Sequence, residues 1–509
     1  MTPGIRPWIF AVALLGLTAQ AADTSLAVTR RELPPEQNAY VLWAKAMPAL
    51  ELPDDRVLKD AHDRACSCKE KMPKGEGRQR LDAWLASKKE PLALVSQGIA
   101  LGHFQFPPIN PNDLKTSDLI GLRHIARLKI ILAREHAERA EYEDAARELA
   151  ETFKMGQLIV DGDGAMIHYL IGLAPQAMGL DGMRWLCAQK SMTQTALNQL
   201  LTALPAPSIQ DPALAQVYQI EYAQFFIPVI YDFAKTAQQP DSHIPISISR
   251  VLDVKETVAI MPPFVARLSA NALTSWPDRD RRIEEDAQKL VPPMEGVSDP
   301  FDVFGNLAMW NLDRDNPEKL AKWKRLEQLG QKHPNLLGRL YVSMVISGIE
   351  GSGHKHSVRA RTDTNLTRAI LALRIVQQET GRWPASLEAC RALLPKPPLD
   401  LFAKPGTWVR YSPDRAILWS VGPDEIDNHG DPAKDVVLPL PKLAPAPAVP
   451  KPAPSAHSQM THRVQPTSPT SSPLAWIIHE FGSPTATHVS SPGLDNPGVR
   501  NNPNPSCTL

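Results

Sequence analysis

The sequence predicts a mainly α-helical protein that ends in a small α+β module and a proline-rich tail. Three observations predict it. Apolar residues recur at helical spacing through most of residues 36–349. β-type composition concentrates in two short runs, Trp408 to Tyr411 and Ile417 to Val421, joined by the turn-forming Ser412-Pro413-Asp414-Arg415. Beyond Leu438 the chain turns to proline, alanine, serine and asparagine with no periodicity.

At 509 residues the chain exceeds one ordinary core, so two or three domains are expected. With 55 Lys+Arg against 55 Asp+Glu there is no global field to attract nucleic acid or anionic lipid, and neither partner is expected. Arg6, the apolar run Trp8 to Leu17 and the small-x-small Ala19-Gln20-Ala21 read as a signal peptide over residues 1–21. The expected protein is therefore exported, to the periplasm or the outside. No cysteine follows the apolar run to carry a lipid. No later stretch has membrane-helix length, so no membrane span is expected after cleavage. The five cysteines (Cys66, Cys68, Cys187, Cys390, Cys507) are too sparse for a disulfide framework. Cys66 and Cys68, with His62 and His103 nearby, lack the second pair that a structural zinc site needs.

Residues 22–210 read as a helical domain. Glu36 to Met47 starts it, and Arg78 to Leu101 forms two pieces broken at Pro91. Ser117 to Leu204 is strongly periodic, with breaks at Ala140 to Tyr142 and at Gly162-Asp163-Gly164. Its hairpin resembles a tetratricopeptide-type unit, but no second copy recurs at a fixed period, and an ordinary helical bundle explains it equally. Residues 211–350 form a second helical region. It includes an aromatic-rich helix from Ala213 to Lys235 with a kink expected at Pro228, a strand or irregular stretch from Ser242 to Pro263, and helix again from Val265. The glycine-rich GIEGSGHKHS misses the phosphate-loop spacing and follows a helical pattern, so residues 351–360 read as a flexible joint.

The module over residues 361–438 is the most consistent stretch. Asn365 to Thr380 is an amphipathic helix with Thr364 or Asp363 as its cap and Gly381 as its stop. Ser386 begins a shorter helix, and the strand pair follows. Between Gly422 and Asp435, Asp424, Asp427, Asn428, Asp431 and Asp435 crowd one loop whose glycines can bend the backbone. Such irregularly spaced hard oxygens suit Ca2+ as a structural ion. The same residues are also common in turns, where they bond their own backbone.

The order helix, G-R-W-P-x-S-L, D-x-F, Y, L-W-S-V-G-P-D and D-x-x-D resembles the globular head of the major pseudopilin of type II secretion. That resemblance implies a calcium loop in which Asp424, Asp431 and the Val421 carbonyl are ligands. The motif has proline where this chain has Leu401, and glycine where it has Ala403. The pseudopilins' membrane-embedded assembly helix has no counterpart before Asn365. The phrases NAYVLWAKA, DAWLASKKEPLAL and HPNLLGR, with this module, also resemble uncharacterised exported proteins of planctomycete- and verrucomicrobia-type bacteria.

No GxSxG, HExxH or dinucleotide fingerprint occurs. The expected function is a non-catalytic, exported interaction scaffold with a calcium-stabilised end module, and envelope or secretion proteins as partners. The alternative is an exported hydrolase with a site between the helical region and the module. The tail over residues 439–509 is expected to be an extended spacer and disordered, with Leu474 to Phe481 its one apolar segment.

Overall fold

Polar side chains mark many of the helix starts in the computed structural model, which describes residues 32–107, 116–206, 208–237, 251–292 and 317–442. Asn38 accepts from the Tyr40 amide at 3.1 Å and opens α1 (Ala39–Leu50). Asp55 caps α2 (Arg56–Ala65). Then follow α3 (Gly75–Ala86), α4 (Lys89–Leu101), α5 (Thr116–Glu138), α6 (Tyr142–Val160) and α7 (Met166–Cys187). Thr193 caps α8 (Gln194–Ala203), Asp211 caps α9 (Pro212–Glu221) and Asp253 caps α11 (Val254–Ala272). These caps satisfy amides that the first turn leaves without partners. Between α9 and α10 (Ile227–Ala237) the chain takes a wider turn, in which the Ile227 amide reaches back to Tyr222. Pro228 explains it: without an N–H it cannot continue the ordinary ladder, so the helix widens one turn earlier. Short α12 (Ile283–Gln288) and α13 (Pro317–Lys332) precede the 45-residue α14 (Leu336–Thr380).

α14 corrects two expectations. The glycine-rich stretch 351–360 is helical throughout, and Thr364 and Asp363 lie inside the helix, where Thr364 bonds the Ala360 carbonyl instead of capping. The helix is also not amphipathic over its last third: Thr364 to Ile375 is buried all round. It runs between α7 and α8 on one side and the C-terminal sheet on the other, so every face meets protein. Two smaller corrections follow. The stretch expected to be irregular is α11 from Val254 onward, with Pro262 and Pro263 inside it. The break near Pro91 falls at Ser87-Lys88, leaving the proline in the first turn of α4, where its missing N–H costs nothing.

The sheet has order β1-β2-β3, all antiparallel: β1 (Arg410–Ser412), β2 (Ile417–Ser420) and β3 (Val436–Pro439). β3 was not foreseen, and it takes Pro439 out of the expected tail, with Leu440 buried just beyond it. One apolar core joins α5 to α8, α14 and the sheet, including Leu149, Phe153, Leu186, Leu197, Ile370, Phe402, Leu418 and Val436. A second fills the space among α1 to α6 around Trp43, and a third gathers α7, α9 to α12 and the first half of α14. α6 and α7 sit at the meeting of all three. They approach closely because a Cβ at Gly156, Gly172 or Gly179 would lie 2.6, 2.8 or 2.9 Å from backbone of the facing helix.

All described residues belong to one compact unit. Among them, no helix is long and apolar enough to cross a membrane. The expected signal peptide, residues 242–250, and the tail from residue 443 onward, with its Leu474 to Phe481 segment and Cys507, lie outside the described residues.

Candidate functional site

The aspartate loop leaves β2 at Val421 and returns in β3 at Val436. Four residues in it take the left-handed conformation: Gly422 and Gly430 (φ 74° each), Glu425 (φ 62°) and His429 (φ 57°). Gly422 has no substitute, since a Cβ there would stand 2.5 Å from the Lys434 carbonyl.

Each predicted residue has a place. Asp424 accepts from the Ile426 amide (3.1 Å) and from the Asn428 side-chain amide (3.0 Å). Asp435, nearly fully buried, accepts from the amides of Asn428 (3.3 Å) and Gly430 (2.6 Å). Asp431 closes a turn by accepting from the Ala433 amide at 3.0 Å. Asp427 faces elsewhere, toward Arg410 Nε at 2.7 Å and Trp419 Nε1 at 3.0 Å. Partial burial pushes the Asp427 carboxyl up, but the Trp419, His429 and Arg410 donors outweigh it and hold it below its usual value. Val421 donates its amide to Asp400 at 3.0 Å. The structure thus gathers Asp424, Asn428 and Asp435, and separates Asp427 from them.

Sequence reasoning missed the residue at the centre, Asp400. Its side chain is fully buried and accepts from Ser420 Oγ (2.5 Å), the Val421 and Phe402 amides (3.0 and 3.1 Å) and Arg410 Nη1 (2.5 Å). Arg410 therefore bridges Asp400 and Asp427. A second guanidinium, Arg415, donates to the carbonyls of His429 and Gly430. The outer side of the loop is held by the helical body: Arg279 and Arg281 bind Glu425 at 2.8 and 2.5 Å, and Trp276 Nε1 donates to the Pro423 carbonyl at 3.2 Å.

These donors bear on the calcium expectation. Six to eight oxygens must converge on Ca2+. The loop's oxygens accept guanidinium and amide hydrogens, Asp424 from Asn428 and Asp427 from Arg410. Among the described residues, the His, Cys, Asp and Glu groups whose ligand atoms converge within 4.8 Å are His62–Asp63–Cys66 and His136–Glu141–Asp144. His62 and Cys66 are one turn apart on α2, and neither Cys68 nor His103 joins them. Arg127 stands 3.7 Å from Asp63, and Arg134 donates to the carbonyls of Arg64, Ala65, Ser67 and Glu70, so the end of α2 is already supplied with positive charge.

Among α7, α9 and α14 lies a buried polar cluster that sequence reasoning also missed. Asp211 accepts from Tyr169 (2.6 Å) and Ser357, and Ser357 does not reach a histidine. His354 is buried beside Trp276, and neither of its ring nitrogens has a hydrogen-bond partner among the described residues. Burial, then Arg361 and Arg279, pushes it down to about 3, so it is neutral. Glu221, also buried, is pushed up to about 7 although it accepts from the Met166 amide at 2.7 Å. His354 and Ser357 lie in the stretch read as a joint, which hid them.

Comparison of the chain with protein-family models, with curated proteins and with solved structures finds no match.

Proposed function

We propose that this protein is a non-catalytic, exported interaction scaffold, in which the C-terminal sheet and its aspartate loop clamp the long central helices. The resemblance to exported proteins with pseudopilin-like ends, and a place in envelope organisation or secretion, belong to the same proposal. The observation that carries it is the way the loop's charge is used. Asp400, Glu425, Asp427 and Asp435 all serve as acceptors for structural donors, leaving none of them poised as a nucleophile or base. We further propose that the loop is pinned by its own guanidiniums and amides, with Ca2+ adding little.

Two measurements test this. Melting of the full chain in millimolar Ca2+ and in chelator is expected to coincide; a clear rise with Ca2+ restores the ion as the loop's stabiliser. Pull-down from an envelope fraction is expected to retain a partner with the wild-type chain and to lose it with Glu425→Ala, which releases the clamp to Arg279 and Arg281. Retention that is indifferent to the clamp contradicts its role.

A second reading, a hydrolase with its site between body and sheet, is favoured by one observation, the buried His354 with two bare ring nitrogens. The Ser357 hydroxyl is bound to Asp211, which argues against a serine–histidine pair. Turnover of an ester or peptide substrate, lost in His354→Ala, is the result that establishes this reading over the first.

A further inference from the structure

A cavity of about 530 Å3 opens between α1 and α5, far in sequence from the aspartate loop. α1 and the residues after it contribute the apolar Met47 and Leu52; α5 contributes Ile120 together with Arg123, His124 and Arg127, which follow it at helical spacing on the same face. Ile120 is the most exposed large apolar residue among those described, at 69%. Its position in the cavity wall makes it a surface in want of a cover.

The charges are the informative part. Arg123 and Arg127 are four residues apart on α5 and so share a face, an arrangement that is unfavourable for like charges. Arg127 has its nearest carboxylate, Asp63, at 3.7 Å. Arg123 makes no hydrogen bond or ion pair among the described residues, and its Nε is buried without an acceptor. Burial, then the neighbouring Arg127, lowers the Arg123 guanidinium to about 10. Asp63 offsets the Arg123 charge only in part and without an ion-pair contact, and the two acids of the cavity add none. Asp118 is bound by the Tyr40 hydroxyl at 2.5 Å, and Glu51 is exposed and forms no ion pair with either arginine. His124 faces the Leu50 carbonyl through Nε2 at 2.8 Å and stacks on His62. Burial first, and Arg127 after it, lowers its pKa, so it adds a neutral wall.

We propose that this cavity binds a small amphiphilic oxyanion, with its carboxylate or phosphate head between Arg123 and Arg127 and its aliphatic body on Met47, Leu52 and Ile120. A planar guanidinium whose terminal nitrogens have no hydrogen-bond partner among the described residues offers the two-pronged, end-on contact that such heads accept. The volume lies within the range of small-molecule pockets, and the lining is the usual mixture of apolar wall and few polar groups.

Isothermal titration of the full chain with octanoate, octyl phosphate and octanol tests it. At least one of the two anions is expected to bind about tenfold or more tightly than octanol, with affinity falling as salt rises. Which anion binds tells carboxylate from phosphate chemistry. Arg123→Gln is expected to remove most of that advantage without lowering the melting temperature, because Arg123 holds nothing in place. Arg123→Lys, which keeps the charge and loses the fork, should retain part of it. Failure of both anions to bind, octanol binding equally well, or affinity unchanged in Arg123→Gln overturns the proposal.

Discussion

Glu425, at the tip of the aspartate loop, accepts a 2.8 Å bond from Arg279, whose guanidinium lies 3.6 Å from the centre of the Trp276 ring. Trp276 in turn packs edge-on against Phe402 at the foot of the sheet and faces His354 of α14. A charged contact at the surface is thus continuous with an aromatic wedge between the sheet and the helical body. Partial burial makes this pair worth more than an exposed one. Glu425→Gln is expected to cost about 1–2 kcal/mol, read by chemical denaturation, and to hasten proteolysis of the loop.

Asp400 carries a larger share. Asp400→Asn replaces an acceptor of four bonds by a group that brings its own N–H donors, and leaves Arg410 without its buried partner. The expected loss is about 3–5 kcal/mol, again by denaturation. A loss below one kcal/mol shows that Asp427 alone holds Arg410 and that the hub matters less than its geometry implies.

Two glycines distinguish close packing from simple helix propensity. Gly172→Ala sets a methyl 2.8 Å from the Val160 amide and must part α6 from α7, which is expected to cost about 1–3 kcal/mol. Gly348→Ala, on an exposed turn of α14 with nothing within 4 Å of the new Cβ, is expected to gain up to about 1 kcal/mol. Opposite signs in the two melts are the result to look for.

Buried titratable groups give stability a defined pH dependence. Glu221 has a folded pKa of about 7, above its unfolded value, so between the two the folded state holds more protons. Its contribution is fully present below the unfolded value and is lost as pH rises through 7. Glu221→Gln, which keeps an oxygen for the Met166 amide, is therefore expected to gain on the order of 2 kcal/mol above about pH 8 and nothing at about pH 4. His62, lowered to about 4 by burial and then by His124, and His354, lowered to about 3, act in the opposite sense. Their contribution is present above the ordinary histidine range and is lost as pH falls through the folded values. Denaturation series at several pH values separate the two effects.

Local signals were legible in the sequence where the chemistry is local. The break at Ala140, which takes a φ of 60°, the stop at Gly162 to Gly164 and the left-handed Gly381 all stand where periodicity and turn chemistry place them. The stretch 351–360 was misread because glycine breaks a helix unless something packs against it. Here Gly353 lies under Tyr218, where a Cβ would meet the hydroxyl at 2.8 Å. Asp400, the aspartate of the D-x-F motif, was given no role for a related reason. Its distant partners come from β1, β2 and Val421 just after β2, and only the sheet register brings them together. In the aspartate loop the residue types were legible, but their use was not. Arg410 and Arg415 stand outside the run of acids, so composition alone could not show that guanidiniums meet them.

The central claim is that the C-terminal sheet, held together by Asp400, and the long helices are one cooperative body closed by the Glu425 clamp to Arg279 and Arg281. Native-state hydrogen exchange in rising denaturant tests it most directly. The amides of Leu418 and Val421 in the sheet, Leu373 in α14 and Met183 in α7 are expected to converge on one opening free energy. Exchange of the sheet amides through a separate opening of much lower free energy, with α7 and α14 still protected, would contradict the account.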